Sequence, residues 1–449
     1  MTARVFNAES PFWSVGAFAA TVMIRTVSSI TLSRLLEPAA FGIMALATSV
    51  AIGAELLSDG GLGQAIVRSP RGDDPVFLNT SWTMQIIRGI VLFAFLCAVA
   101  GPVAGAYGVD ELVWIVPLAG IGSILAGATS TNYDLLVRHS RQRALALFDL
   151  FAHIITTVVV IIVAVATRSI VALAAASVLL HLIRLIVSHT VLDGPRNSLR
   201  LERAARTEML HFGKWVFLAT GVMFFNEQID RILLGGLLST TVLGVYALSY
   251  TIGSLPRELI KSVTSRAVFP LLSKANLESG TLGVGVVLRD MKRRYLPYLA
   301  VAVGASSTAM VPAALVMFDD RYAAAAWMAP ALACGSWFAV LYWASSTAFL
   351  AIGKPANAVW ANIAGLVWVL VWLPVLYTWI GVGGAVIAIA TSEIPLYVTS
   401  QIALRRLGLT TIRVDLRCTI VMLAATAAVA FAGDLVGIDN WLLTIPLSR

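Results

Sequence analysis

The sequence predicts an all-α integral membrane protein, a polytopic bundle of 12–14 transmembrane helices built as two pseudo-symmetric lobes of six helices. Of its 449 residues, 59% are hydrophobic and 12% are charged, whereas a soluble chain carries about 25% charged residues. Apolar windows of about 20 residues recur along the chain, as transmembrane helices require. None of these runs alternates polar and apolar residues, as the strands of a transmembrane barrel would.

An internal repeat predicts the two lobes. The segment RLLEPAAFGIMAL at 34–46 aligns without gaps with GLLSTTVLGVYAL at 236–248, an offset of 202 residues. The same offset places Gly42 on Gly244, Trp13 on Trp215 and Arg25 on Glu227. An ungapped match across a helix–turn–helix segment indicates two related halves, which is a common construction in secondary transporters.

The apolar windows predict thirteen spans and three regions. Residues 1–195 form an N-terminal lobe with spans 1 to 6 and the start of the loop between the lobes, and residues 196–406 form a C-terminal lobe with spans 7 to 12. Residues 407–449 add a helix and a tail, of which 434–449 is too short to cross again. The spans lie near 11–35, 40–66, 78–103, 111–136, 146–166, 170–191, 211–237, 242–270, 295–317, 323–351, 357–379, 382–404 and 414–433.

The distribution of basic residues predicts the orientation. Lys and Arg gather in one set of alternate loops, including the two longest, near 192–210 and 271–294. The positive-inside rule therefore places these loops and the N-terminus in the cytoplasm. The net charge of +8 is explained by this bias, so nucleic acid is not an expected partner.

Several kinds of chemistry are excluded by what the sequence lacks. It has no GxxxxGK[ST], GxGxxG helix start, HExxH, CxxC or GxSxG motif, so we expect no enzyme activity, no cofactor and no metal site. Cys97, Cys334 and Cys418 fall inside predicted spans and are expected to be free thiols. Without a nucleotide site, any pumping must use an ion gradient, of H⁺ or Na⁺, or the membrane potential.

Charges within apolar spans are functional candidates because burying them in a bilayer is costly. Arg25 lies about fourteen residues into span 1, roughly 21 Å at 1.5 Å per residue, which is deep for escape to the cytoplasmic face. Ser28 and Ser29 lie one turn further on the same side. Arg25 is therefore expected to face a water-filled cavity, with a structural ion pair as the alternative. Arg88, near the cytoplasmic end of span 3, either snorkels or lines the entrance.

Span 7 carries three charges on one helix face. Glu227, Asp230 and Arg231 have i, i+3 and i+4 spacing. One interpretation is that they neutralise one another and pack the halves together. The other is that a carboxylate binds a coupling cation or proton while Arg231 contacts an anion. The two interpretations are compatible, and the repeat suggests a pair between Arg25 and Glu227.

A second set of charges lies in spans 2, 8 and 12. Glu55 and Asp59 are an i, i+4 acidic pair, and their repeat counterparts are Arg257 and Lys261. These pairs are expected to form either a latch or the solvated mouth of a cavity. Glu393 in span 12 is a candidate cavity residue of the second half.

Two further i, i+4 pairs are expected to be local and structural. Asp134 and Arg138 predict an ion pair at the end of span 4. Asp149 and His153 in span 5 predict a titrating pair or a hydrogen-bonded structural histidine.

Two passages resemble a known family. RLLEPAAFGIMAL followed by LLSDGGLGQAIVRS at 56–69 resembles the N-terminal signature of bacterial polysaccharide transporters. These are the O-antigen and exopolysaccharide flippases of the multidrug/oligosaccharidyl-lipid/polysaccharide (MOP) exporter superfamily. NEQIDRILLGGLLSTTVLGVYALSY at 226–250 resembles their seventh and eighth helices. The similarity covers about the first 270 residues; beyond them only the span pattern agrees.

The resemblance implies a flippase of the bacterial inner membrane with a V-shaped arrangement of two lobes, as in multidrug (MATE) transporters of the same superfamily. Its substrate would be undecaprenyl-pyrophosphate-linked oligosaccharide, moved to the periplasmic leaflet by ion- or potential-coupled alternating access. Arg25, helped by Arg88 or Arg231, would bind the pyrophosphate. Partners would be this lipid, membrane lipids and polysaccharide polymerase or export machinery.

Two alternatives remain from the sequence. A multidrug/cation antiporter of the same superfamily would have an acidic cavity. A membrane glycosyltransferase or polysaccharide polymerase would need an external loop with acidic catalytic residues, and the alternate set of loops contains none of that length.

Overall fold

The protein is described here by a computed structural model that covers residues 11–435, apart from the side chains of 11–15, 142, 212–219, 222–223, 266–267 and 432–435. Within that range the regular structure is entirely helical, which confirms the predicted fold class. The helices of the first half of the chain are α1 (Pro11–Leu35), α2 (Pro38–Leu57), α3 (Leu62–Arg68), α4 (Pro75–Tyr107), α5 (Leu112–Ala128), α6 (Asn132–Arg138), α7 (Gln142–Thr167) and α8 (Val171–Thr190). The later helices are α9 (Arg203–Leu237), α10 (Thr240–Gly253), α11 (Leu255–Val263), α12 (Phe269–Met317), α13 (Ala325–Ala351), α14 (Ala356–Ile380), α15 (Val382–Ala390), α16 (Glu393–Arg406) and α17 (Ile412–Leu435).

Helix boundaries follow from local residues. Pro38 and Pro75 occupy the first positions of α2 and α4, where a missing N–H costs nothing. The Asp74 side chain accepts a 2.9 Å hydrogen bond from the Val76 N–H and caps α4. At the other end of α4, Gly108 adopts φ +65°, a left-handed conformation that ends the helix. Gly280 interrupts α12 with φ 61° and ψ −161°.

Ten helices in residues 11–435 are long and apolar enough to cross a membrane, with α15 and α16 together forming one of them. An eleventh span results if α5 and α6, which meet at 64°, are counted as one broken span. The predicted spans at 211–237 and 242–270 fall on α9 and on α10–α11, which are helical. The chain is thus a multi-pass membrane protein, and the count of thirteen spans stays a prediction.

The chain forms two compact units, one ending at Gly244 and one beginning at Val245. In the first unit, α4 packs on α5, α5 on α8, α7 on α1 and α8, and α9 on α2. In the second unit, α13 packs on α12 and α16, while α14 packs on α15 and α16. The helix predicted after the twelfth span is α17, and it packs on α12. The boundaries at 195 and 406 between homologous regions stay predictions.

The segment between α8 and α9 is a strap rather than a free loop. The N–H groups of Ser198, Arg200 and Glu202 donate to side-chain oxygens of Asn79 (2.9 Å), Thr83 (2.9 Å) and Thr80 (3.1 Å) on α4. Alternate residues therefore bond to the first turns of one helix, as an extended chain allows. The long loop predicted near 192–210 is fastened to the first unit, and its last residues begin α9.

The other long loop predicted near 271–294 is instead helical on both sides of the break at Gly280. Its charged residues made it resemble a solvated connection. Instead, Lys292 is buried with a side-chain exposure of 2%. Burial of an ammonium group requires a charged partner, and the second unit supplies one.

Candidate functional site

A cluster of charged side chains occupies the first unit around Arg88. Its guanidinium donates to the Glu55 carbonyl oxygen at 2.7 Å and to the Ser58 hydroxyl at 3.1 Å, and lies 3.9 Å from the Asp59 carboxylate. Arg88 therefore reaches from α4 to the end of α2 instead of extending into solvent. Of the two predicted positions for Arg88, this contact favours the lining of a polar site.

The acidic residues of α2 are held by helices of their own unit. The Ser123 hydroxyl of α5 donates to Glu55 Oε1 at 3.0 Å, and His181 of α8 lies within electrostatic range of Glu55. Asp59 accepts a 2.9 Å hydrogen bond from the Gly61 N–H, where Gly61 adopts φ 60°. These contacts account for both carboxylates within the first unit, and a latch with Arg257 and Lys261 stays a prediction.

Arg25 is exposed, and its direction distinguishes a polar site from the lipid. The apolar Met23 and Val27 on α1 are 67% and 59% exposed. Residues two apart on a helix project about 160° apart, so Arg25 lies on the face opposite these two side chains. Ser28 and Ser29 are partly buried on the side of Arg25. The polar side of α1 is thus distinct from its exposed apolar face.

A further charge near Arg25 lies on α8 and was not predicted from the sequence. Arg184 of α8 donates to Asp149 Oδ1 of α7 at 2.8 Å, and both Arg25 and Arg184 lie within electrostatic range of His153. The arginine on the neighbouring helix therefore partners Asp149, where the sequence suggested His153. Arg184 could have been predicted from the sequence, because it is a charged residue inside the apolar segment 170–191.

The charged residues of α9 are linked to α2 through Gln228, which was not predicted from the sequence. Gln228 Oε1 accepts hydrogen bonds from Ser49 of α2 at 2.9 Å and from Arg231 at 3.1 Å. Asp230 is also buried but projects about 160° away from Gln228, and Glu227 is half-buried. Gln228 therefore links Arg231 to α2 within the first unit. A pair between Arg25 and Glu227 stays a prediction.

In the second unit, Arg257 of α11 contacts Glu393 at the start of α16. The guanidinium lies 3.1 Å from Glu393 Oε1 and donates to the Tyr250 hydroxyl at 3.0 Å. One turn beyond Arg257, the Lys261 ammonium lies 5.3 Å from the centroid of the Trp343 ring. Two cations thus share one face of α11, as their spacing predicts, and one of them is paired with a buried carboxylate.

The buried charge of α12 belongs to a separate network. Lys292 Nζ lies 3.0 and 3.1 Å from the two carboxylate oxygens of Asp415 on α17, whose side chain is fully buried. Lys292 also donates to the hydroxyl oxygens of Ser345 and Thr411. Asp415 also accepts from Tyr397, Gln401 and Thr411. Every acceptor and donor of this pair has a partner, so its clearest role is to fix α17 to the second unit.

The Arg138 guanidinium pairs with the Asp73 carboxylate of the α3–α4 loop at 2.9 Å. It also donates to the carbonyl oxygens of Ile66 and Ser69 at 2.9 and 2.7 Å. Arg138 therefore closes the end of α3, and the local pair expected with Asp134 is replaced by this longer-range contact.

The fold is similar to those of solved transporters. A lipid II flippase, MurJ, in an inward closed conformation aligns over 96% of this chain and 96% of its own, with a TM-score of 0.72 and 12% identity. A multidrug resistance MATE family transporter of the MOP superfamily, in an inward-facing conformation, aligns over 89% of this chain and 95% of its own, with a TM-score of 0.59 and 14% identity. At such identities the likeness shows the fold, which is that of MOP-superfamily transporters.

A match to a family model identifies the family of this chain. Residues 31–289 match the model of the polysaccharide biosynthesis protein family, and the chain belongs to this family. The resemblance drawn from residues 34–69 and 226–250 is thereby confirmed.

Two curated relatives are similar over part of their length. The teichuronic acid biosynthesis protein TuaB of Bacillus subtilis (strain 168) is 23% identical over 52% of this chain and 48% of its own. The succinoglycan biosynthesis transport protein ExoT of Rhizobium meliloti (strain 1021) is 22% identical over 69% of this chain and 62% of its own. The chain thus spans about half to three-fifths of the length of these relatives.

Proposed function

We propose that this protein is a flippase that moves undecaprenyl-pyrophosphate-linked oligosaccharide from the cytoplasmic to the periplasmic leaflet of the bacterial inner membrane. The product would supply the synthesis of an exopolysaccharide, capsule or O-antigen. Membership of the polysaccharide biosynthesis family, on a fold shared with a lipid II flippase, is the observation that carries the proposal.

The charges of the first unit support an anionic substrate. Arg25 is exposed on the polar side of α1, and Arg88 and Arg231 lie on α4 and α9 of the same unit. Guanidinium groups bind phosphate oxygens with two parallel hydrogen bonds. We assign Arg25 the main contact with the pyrophosphate, with Arg88 or Arg231 completing it and Ser28 and Ser29 lining the same side.

Coupling is assigned to acidic residues within the spans. Glu227 and Asp230 would carry or tune a coupling H⁺ or Na⁺, because a carboxylate in an apolar helix changes its charge or its partner between states. The basic loops and the N-terminus would face the cytoplasm. Lipid-linked oligosaccharide, membrane lipids and the polymerase or export machinery would be the partners.

Complementation tests the proposal. Expression in a flippase-null strain should restore polymer at the cell surface, and Arg25→Ala should abolish it while Arg25→Lys keeps part. Arg206→Ala, an exposed arginine of α9, is the matched control and should export normally. Normal export by Arg25→Ala at equal membrane abundance would end the role assigned to that residue.

The second candidate is a multidrug/cation antiporter, which the fold shared with MATE transporters favours. It predicts drug resistance on expression and no rescue of polymer export. A glycosyltransferase or polymerase would instead transfer sugar in vitro, whereas the compared relatives and structures named by activity are transporters. The flippase-null strain, a drug-sensitive strain and a sugar-transfer assay therefore separate the three.

A further inference from the structure

The pair formed by Arg257 and Glu393 leaves one carboxylate oxygen unused. Glu393 Oε1 lies 3.1 Å from the guanidinium, and the Glu393 side chain is 10% exposed. Its other oxygen, Oε2, is buried and has no hydrogen-bond partner among the residues that the structure describes. An unbonded carboxylate oxygen in an apolar interior is costly, so this position points to a proton or to a donor that arrives with another state.

The groups facing this pair come from several helices of the second unit. Tyr342 of α13 lies within electrostatic range of both charges. Tyr250 of α10 accepts from the guanidinium. The described contacts thus place the hydroxyl groups of Tyr250 and Tyr342 near the pair, with the Lys261 ammonium one turn further along α11.

The Arg257 side chain is more exposed to solvent than the Glu393 side chain. The Arg257 side chain is 21% exposed, against 10% for Glu393. Lys261 lies one turn beyond on the same helix face, over Trp343. An incoming anion would therefore meet the guanidinium edge and a second cation before it reached the carboxylate.

We propose that Glu393 holds the position of a substrate phosphate on Arg257, and that it takes up one proton when the pyrophosphate of the substrate replaces it. This inference rests on the proposed function. In the empty state Arg257 binds the Glu393 carboxylate. In the loaded state Arg257 binds a phosphate oxygen, and a proton from water forms an O–H bond on the released carboxyl group. No covalent bond to the substrate forms or breaks.

Charge balance explains why binding of pyrophosphate to Arg257 is coupled to proton uptake by Glu393. With Lys261 one turn away, the Arg257–Glu393 pair and this ammonium group together carry one net positive charge. The pyrophosphate diester of the substrate carries two negative charges, so its binding would leave one uncompensated negative charge where the effective dielectric constant is low. Uptake of one proton by Glu393 compensates that charge. The orphaned Oε2 is the atom that can accept this proton without breaking an existing hydrogen bond of the carboxylate.

The test measures protons taken up on ligand binding. Full-length protein in lipid nanodiscs is titrated with inorganic pyrophosphate in weakly buffered solution containing a pH indicator. Wild type should take up about one proton more per bound pyrophosphate than Glu393→Gln, which mimics the protonated side chain. Glu393→Gln should bind about tenfold more tightly, a change of about 1.4 kcal/mol, because no carboxylate competes for Arg257.

The pH dependence gives a second readout. Because binding takes up a proton, the wild-type affinity for pyrophosphate should weaken as pH rises. Each added pH unit should lower it by a further factor of about ten relative to Glu393→Gln, over the pH range in which Glu393 is charged in the free protein and protonated in the loaded protein. Arg257→Gln should lose the pH-dependent part of the pyrophosphate affinity. Glu278→Gln, an exposed carboxylate on α12, is the matched control and should behave as wild type.

Equal proton uptake and equal affinity in wild type and Glu393→Gln would overturn the inference, as would a requirement for Na⁺ with no proton uptake. The wild-type measurement stands even if Glu393→Gln does not fold. Vesicle assays with undecaprenyl-pyrophosphate-linked sugar separate the two claims. Transport without the proton difference removes the inference alone, whereas absence of transport and of pyrophosphate binding in wild type removes the proposed function and the inference with it.

Discussion

Gly42 and Gly244 contact each other's helix reciprocally, within the first unit. A β-carbon added to Gly42 would overlap the carbonyl oxygen of Thr240 and lie 3.1 Å from the Gly244 nitrogen. A β-carbon added to Gly244 would overlap the carbonyl oxygen of Pro38 and lie 2.9 Å from the Gly42 nitrogen. Pro38 and Thr240 are related by the same offset of 202 residues as the two glycines. The contact therefore joins equivalent positions of the two repeat segments, one on α2 and one on α10.

Gly42→Ala should destabilise the protein, because the obstacle is backbone that cannot rotate away. Overpacking of this kind costs about 1–3 kcal/mol, and Gly244→Ala should cost a similar amount. The double variant should lose less than the sum, since the first substitution already separates the helices. The measurement is the thermal unfolding midpoint in detergent.

Gly101→Ala is the matched control for this series. Gly101 lies in α4 with no atom within 4 Å of an added β-carbon, and alanine is the better helix former by about 0.8–1 kcal/mol. It should be neutral or stabilising. Equal midpoints for Gly42→Ala and Gly101→Ala would show that the reciprocal contact is absent.

Removing one charge of the Lys292–Asp415 pair should be more damaging than removing both. Lys292→Met leaves a fully buried carboxylate without its cation, at a cost of about 3–5 kcal/mol. Adding Asp415→Leu should recover most of the stability, because apolar replacement of a buried pair is often neutral. Yield in the membrane and the unfolding midpoint measure both effects.

A surface pair supplies the comparison. Lys274 and Glu278 on α12 lie 3.7 Å apart and are mostly exposed. Exposed pairs contribute about 0–1 kcal/mol, so Lys274→Met should change the midpoint little. A small effect of Lys292→Met, equal to that of Lys274→Met, would contradict the anchoring role of the buried pair.

The contact between Asp73 and Arg138 predicts a pH dependence. The hydrogen bond from Arg138 holds the pKa of the Asp73 carboxyl below its usual value, and His139 acts in the same direction. The folded protein therefore favours the carboxylate. The resulting stability is present above the ordinary aspartate pKa of about 3.9 and is lost as pH falls through the lowered folded pKa.

Asp73→Asn should accordingly be less stable than wild type at pH 7, with the difference shrinking toward pH 3. Because Asp73 is exposed, the difference should be small and should decrease with added salt. Unfolding midpoints across pH at two salt concentrations measure it. A difference that grows on acidification would have the wrong sign for this contact.

The helices could be predicted from the sequence because the residues that mark each helix lie within or next to that helix. Prolines and glycines at helix ends, apolar windows and one ungapped repeat depend on neighbouring residues or on similarity between segments. Arg25 was found by its depth in an apolar run. Arg184 carried the same kind of signal on α8 and was overlooked.

Contacts between distant helices could not be predicted in the same way. Lys292 and Asp415 are far apart in the chain, and the basic residues around Lys292 are typical of a cytoplasmic loop. Glu393 was recognised as a charge within a span, but its spacing gives no indication of Arg257 as partner. These pairs follow from how α11, α12, α16 and α17 pack, which hydropathy does not encode.

The strap between α8 and α9 yields a proteolysis prediction. The Arg200 and Glu202 N–H groups are bonded to Thr83 and Thr80, so the chain at Arg200 must detach before trypsin can cleave it. The variant Thr80→Val/Thr83→Val removes two hydrogen bonds, each contributing about 0.5–1.5 kcal/mol. Cleavage after Arg200 should accelerate about tenfold or more when opening is fast relative to cutting. Thr207→Val on α9, whose hydroxyl bonds only locally to the Arg203 carbonyl among the described contacts, should leave the rate unchanged, and equal rates in both variants would show that the strap is not held by these threonines.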